Sequence, residues 1–136
     1  MRPSLVYLMA KFRLSRKDIL AAPDLEKREV PVPEWGGDGA FVVVRSGTGD
    51  ERDAFERSLL VEKREGKKVK KEVSTDRIRT KLLLLSIVDE EGNPEFTEAD
   101  IEALSKKSAK PLSRLFEVAQ ELWGLSDNDV EELAKN

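Results

Sequence analysis

An amphipathic pattern over residues 111–123 is the strongest structural signal in the sequence. Apolar residues recur there at the i, i+3, i+4 and i+7 spacing of one helical face: Leu112, Leu115, Phe116, Ala119, Leu122 and Trp123. Gly124 follows where a left-handed residue can end a helix, and Leu125 can pack back over that end. The pattern predicts a helix whose apolar face must be buried against other elements.

A second helix is predicted over residues 76–88. Ile78, Leu82 and Leu85 form a stripe, and Leu83 and Leu84 broaden it to nearly all sides. A helix that is apolar all round is typically buried by its neighbours, so this segment should be central.

Shorter helices are indicated by their start signals. Ser15 and Thr97 each precede an aspartate by three residues, as in a capping box, and Thr48 or Asp50 can begin a helix that carries Phe55. Ser126 opens a last short helix at the C-terminal end of the chain.

Residues 28–46 have the composition of a β-hairpin. β-Branched residues flank a glycine-rich turn, and Pro31 and Pro33 confine the first strand to a sheet edge. Trp35 lies at or near the turn, where it either folds back onto the hairpin or serves as an exposed binding anchor.

The predicted fold is therefore α+β and predominantly α-helical, with an N-terminal β-hairpin (about 28–46) followed by four or five helices. We expect a single domain over residues 1–136. Residues 1–13 are interpreted as a flexible or strand-forming arm, or as a segment that docks on a neighbouring subunit. Residues 62–73 are interpreted as a mobile basic loop.

The composition argues against catalysis. The chain has no histidine and no cysteine, so the commonest general base, thiolate nucleophiles, disulfides and cysteine-based zinc sites are all excluded. No apolar run is long enough to span a bilayer, and the net charge of −3 gives no general attraction to nucleic acid or membrane. We expect a cytoplasmic binding protein with no enzymatic activity, cofactor or metal.

Three local motifs are candidate sites. The basic run from Lys63 to Lys71 could contact phosphates, but glutamates interrupt it and no aromatic residue is interleaved for base stacking. The glycine-rich segment 46–49 lacks the ending of a phosphate-binding loop, and the acidic segment 89–91 lacks the ligand spacing of a calcium loop. None of them predicts a catalytic site.

Several segments, read in order, resemble the tail assembly chaperones of long-tailed (siphovirus-type) bacteriophages and prophages. They are LSRKDILAAPDL (14–25), VPVPEWGG (30–37), GDERDAFE (49–56), LSIVDEEGNPEF (85–96), LFEVAQ (115–120) and LSDNDVEEL (125–133). These are signatures of fold and capping, and the resemblance rests on the whole series and on the size of the chain.

The resemblance implies a chaperone that binds and solubilises the tape measure protein in the host cytoplasm and is absent from the mature virion. It also implies recruitment of tail tube protein, through a longer form made by frameshifting, and a homo-oligomer, with no nucleic acid or membrane partner. The client-binding residues proposed from apolar positions are Trp35, Leu83, Leu84, Phe116 and Trp123. Two alternatives remain open: a nucleic-acid-binding or regulatory protein acting through Lys63–Lys71, and a structural head–tail connector or tail component.

Overall fold

The computed structural model describes residues 10–135, and it shows an α+β fold. Most of the predicted arm at residues 1–13 lies outside the described residues. The helices are α1 (Arg16–Ala21), α2 (Pro33–Gly36), α3 (Gly49–Ser58), α4 (Ile78–Ser86), α5 (Ile101–Ser105), α6 (Ala109–Trp123) and α7 (Asp127–Lys135), and a 3₁₀ turn (Glu98–Asp100) precedes α5. The strands are β1 (Lys27–Pro31), β2 (Phe41–Arg45), β3 (Leu60–Glu65), β4 (Lys68–Val73) and β5 (Ile87–Val88).

The predicted N-terminal hairpin is confirmed. β1 and β2 are antiparallel, with Lys27 opposite Arg45 and Pro31 opposite Phe41. β5 pairs with the other side of β2, so the sheet order is β1-β2-β5 and the proline-bearing strand lies at an edge. The connection between β1 and β2 is longer than a tight turn because it contains the single helical turn α2.

α4 is the central helix, as its sequence predicts. Leu82 and Leu83 are fully buried, and α6 and the sheet pack around them. The helix ends at Ser86, two residues before the predicted end, because Ile87 and Val88 extend to pair with Val44 and Val43 of β2. β-Branched side chains favour this extended pairing.

The prediction of a loop over residues 62–73 is wrong. β3 and β4 form an antiparallel hairpin, joined by a two-residue turn in which Gly66 has a φ of +63°. Such turns favour glycine at this position. The basic run that suggested a solvated loop is compensated in part across the strands, since Lys63 pairs with Glu72 and Lys70 with Glu65.

Trp123, at the end of α6, joins this helix to α3 and the sheet. Its ring meets Phe55 edge-on, with ring centroids 6.3 Å apart, and its Nε1–H donates to the carbonyl oxygen of Arg45 at 3.1 Å. Gly47 lies directly against the same ring, so close that a Cβ at this position would overlap it. Glycine is required here for space, since the chain passes under the indole.

We expect Gly47→Ala to lower the free energy of unfolding by about 1–3 kcal/mol, because the added methyl group must displace Trp123 from a packed site. The matched control is Gly49→Ala, where a Cβ meets no neighbour and the residue opens α3. This control should be neutral or slightly stabilising. Urea denaturation of both variants measures the difference, and equal stabilities would contradict the described position of Trp123.

Candidate functional site

The five residues predicted to bind a client lie in different environments in the structure. Leu83 is fully buried and belongs to the core, where it cannot contact another protein while the fold is intact. Phe116 is nearly buried beneath the Arg79 guanidinium, and Trp123 is held against Phe55. Trp35 and Leu84 differ from the others because both line cavities that open at the surface.

Three adjoining surface cavities meet at Phe96, and we call them together the Phe96 groove. The first has a volume of about 210 Å³ and lies against α4, with Leu84, Leu85, Pro94 and Ile101 among its lining residues. The second, about 270 Å³, follows the sheet along Phe41, Val43 and Val88. The third, about 210 Å³, lies over α5 at Ala103 and Leu104, and Trp35 lines both the second and the third.

The backbone on both sides of Phe96 is fixed by local hydrogen bonds. In the preceding turn, Asp89 Oδ1 accepts from the backbone N–H groups of Glu91 and Asn93, both at 2.9 Å, and Glu95 N–H donates to Ile87 O at 3.0 Å. After it, Thr97 and Asp100 form the predicted capping box. Phe96 is therefore a partly exposed aromatic residue on a rigid connection between β5 and α5.

Trp35 is positioned by an ion pair between α2 and α6. Arg114 donates two hydrogen bonds to Glu34, at 2.8 and 2.6 Å, and a third to the carbonyl oxygen of Pro31 at 3.1 Å. The two hydrogen bonds that Arg114 donates to the Glu34 carboxylate are the main cause that lowers the pKa of Glu34 from its ordinary 4.5 to about 2. The pair holds the helical turn that carries Trp35 against the body of the protein.

This ion pair predicts a specific dependence of stability on pH. Because the pKa of Glu34 is lower in the folded chain, its stabilisation is complete above about pH 4.5 and is lost as the pH falls toward 2. We therefore expect Glu34→Gln to have a lower urea midpoint than the wild type at neutral pH, and the difference to close between pH 4.5 and 2. The control Glu29→Gln removes an exposed glutamate on β1 and should show no such convergence. If the difference in urea midpoint between Glu34→Gln and the wild type did not depend on pH, this result would contradict the ion pair.

Acidic side chains surround the apolar groove. Five carboxylates are among the lining residues, against two amines: Asp89, Glu90, Glu95, Glu98 and Asp100, against Lys81 and Lys107. Over the described range 10–135, no group of three or more acidic residues is arranged to hold a metal ion. No helix in the same range is long and apolar enough to cross a membrane.

Sequence reasoning missed Phe96 as a site residue. Its one signal is that it stands in an acidic segment, residues 89–102, which holds seven carboxylates and no basic residue. An aromatic side chain in such a segment needs an apolar neighbour, and the neighbours come from α4, α5 and the sheet. Only the tertiary structure brings these elements together.

Comparison with known proteins gives one family and one fold. The model of a family described as phage tail assembly chaperone matches residues 15–136. Among solved structures, the chain is similar to the bacteriophage HK97 tail assembly chaperone, with 20% identity and a TM-score of 0.52, over 82% of this chain and 95% of that one. At this identity, the likeness concerns the fold alone. No curated protein matches the chain.

Proposed function

Because the chain belongs to the phage tail assembly chaperone family, we propose that it binds and solubilises the tape measure protein during tail morphogenesis. Binding would take place in the host cytoplasm, and the chaperone would be absent from the mature virion. The proposed activity is binding, and it involves no catalytic step.

The observation that carries this proposal is the Phe96 groove, an open apolar surface on a highly charged protein. A chaperone of this kind must offer apolar surface to its client and remain soluble itself. Charged residues make up 38% of the chain, which supports solubility. The adjoining cavities could accept successive side chains from one face of an amphipathic helix, as groove-forming proteins commonly do.

Of the sequence-predicted residues, Trp35 and Leu84 remain in the proposed client site, and Phe96 and Leu85 join them. Trp35 has the size and the partly exposed position typical of residues that contribute most to protein–protein affinity. Leu83, Phe116 and Trp123 act instead by supporting the fold that shapes the groove.

Two further partners belong to the proposal. The chaperone would help to recruit tail tube protein, through a longer frameshifted form, and it would form a homo-oligomer.

Co-expression tests the function. The tape measure protein from the same phage genome, expressed alone and with this chain, should move from the insoluble to the soluble fraction only in the second case. Mass spectrometry of purified particles should then detect the tape measure protein and not this chain. An unchanged insoluble fraction would reject the chaperone role, and stoichiometric presence in particles would favour a structural tail component.

A further inference from the structure

The segment before the sheet presents apolar side chains to solvent. From here on, the arm means residues 10–25, which comprise the last four residues of the predicted 1–13 arm and the chain that follows them up to Leu25. Phe12 is 85% exposed, Ile19 58% and Leu20 68%, and no residue of α1 is buried. Such a cluster of exposed apolar residues is typical of a surface that binds a partner.

The arm is nevertheless ordered locally. Ser15 and Asp18 form a complete capping box, in which Ser15 Oγ accepts from Asp18 N–H at 3.2 Å and the Asp18 carboxylate accepts from Ser15 N–H at 2.9 Å. Hydrogen bonds from Ser15 also lower the pKa of Asp18. A preformed helical turn loses less conformational entropy on docking than a disordered segment does.

The charge of the arm is opposite to that of the groove. Four exposed basic residues lie on or beside α1: Lys11, Arg13, Arg16 and Lys17. None of them forms an ion pair with any residue in the described part of the chain. The Phe96 groove supplies the complement, since carboxylates outnumber amines along its apolar wall.

We propose that the arm of one copy of this chain docks into the Phe96 groove of a second copy. Basic residues of the arm would face the carboxylates that line the groove, and Phe12 would enter one of the cavities. A cavity of about 150 Å³ can hold a benzene molecule, so the cavity of about 210 Å³ at Leu84 and Leu85 has room for one aromatic ring. A second copy is the preferred occupant because the arm's apolar residues stay exposed on the single chain.

The docked arm would regulate the site. This inference rests on the proposed function, because it assigns the same groove to the client. Since each cavity has room for about one large side chain, the arm and the client would exclude each other. The chaperone would then cover its own apolar surface until a client displaces the neighbouring arm.

Sedimentation velocity over a range of concentrations tests the docking in the full chain. We expect reversible self-association. Phe12→Ala should raise the dissociation constant at least about tenfold, because it removes the side chain that would be buried in the groove of the second copy. Val69→Ala is the matched control, because Val69 is 53% exposed on β4 and lines none of the three cavities. This variant should associate like the wild type.

A charge swap provides the more specific test. The charge of the arm is reversed by three substitutions made together: Arg13→Glu, Arg16→Glu and Lys17→Glu. Acidic residues in the first turn of α1 suit the helix dipole, so these changes should not unfold the helix. The charge of the residues that line the groove is reversed by Glu95→Lys together with Glu98→Lys. Each set alone should weaken self-association, and the two sets combined in one chain should restore it. A wild type that is monomeric at all concentrations, or a combined variant that is not restored, would overturn the proposal.

Client solubilisation separates this inference from the proposed function. The arm-reversed chain should still solubilise the tape measure protein, because its groove is intact. If that chain associates normally while a Phe96 variant loses the client, the arm docking is wrong and the client site stands. If a Phe96 variant keeps the client, the client site is wrong, and the charge swap still decides whether the arm docks in the groove.

Discussion

Replacing Phe96 with aspartate is expected to abolish solubilisation of the tape measure protein while the chaperone itself remains folded. Phe96 lines all three cavities of the groove, so the substitution places a carboxylate where apolar client side chains would lie. Burying an unpaired charge against an apolar ligand is strongly unfavourable. We expect client affinity to fall by at least about 30-fold, which corresponds to the loss of one strong contact residue.

The matched control for Phe96→Asp is Val69→Asp. It introduces the same charge on the exposed β3–β4 hairpin, at a residue that lines none of the three cavities. Both variants should keep the far-ultraviolet circular dichroism spectrum of the wild type, since both side chains are at least partly exposed. Equal client solubility for the two folded variants would contradict the assignment of the groove.

Leu83→Ala should destabilise the protein by about 2–5 kcal/mol, the largest stability effect that we expect from one substitution of a leucine. Leu83 is fully buried at the centre of α4, and truncation leaves a cavity in the core. Urea denaturation measures the loss. Leu25→Ala is the chemically identical control, and it should change stability by no more than about 0.5 kcal/mol because Leu25 is 41% exposed.

Leu83→Ala also distinguishes a core residue from a client contact. At a temperature where the variant remains folded, it should bind the client like the wild type. Selective loss of client binding from a folded Leu83→Ala chain would show that α4 presents this side chain to the client after all.

The features that sequence predicts best here are local. The capping boxes at Ser15 and Thr97 depend only on residues three apart, and both form as expected. The helix stop at Gly124 is equally local, with a φ of +71° and the Leu125 N–H donating to Gln120 O at 2.8 Å. Each of these structures is determined within one turn of backbone, so neighbouring elements have little influence on it.

The features that sequence predicts poorly depend on partners. Four successive leucines, residues 82–85, cannot reveal from their own pattern which of them face the core. Neighbouring elements bury Leu82 and Leu83 completely and leave Leu85 at the groove. The β3–β4 hairpin is not predicted for a related reason. Its charges are typical of a loop, and its pairing across the strands cannot be read along the chain.

Site-specific photo-crosslinking tests the central claim most directly. A photoreactive phenylalanine analogue at Leu85, inside the groove, is compared with the same analogue at Val69 on the hairpin. During co-expression with the tape measure protein, we expect a covalent adduct with the client from position 85 and none from position 69. Adducts from position 69 alone would contradict the account and would place the client on the basic hairpin.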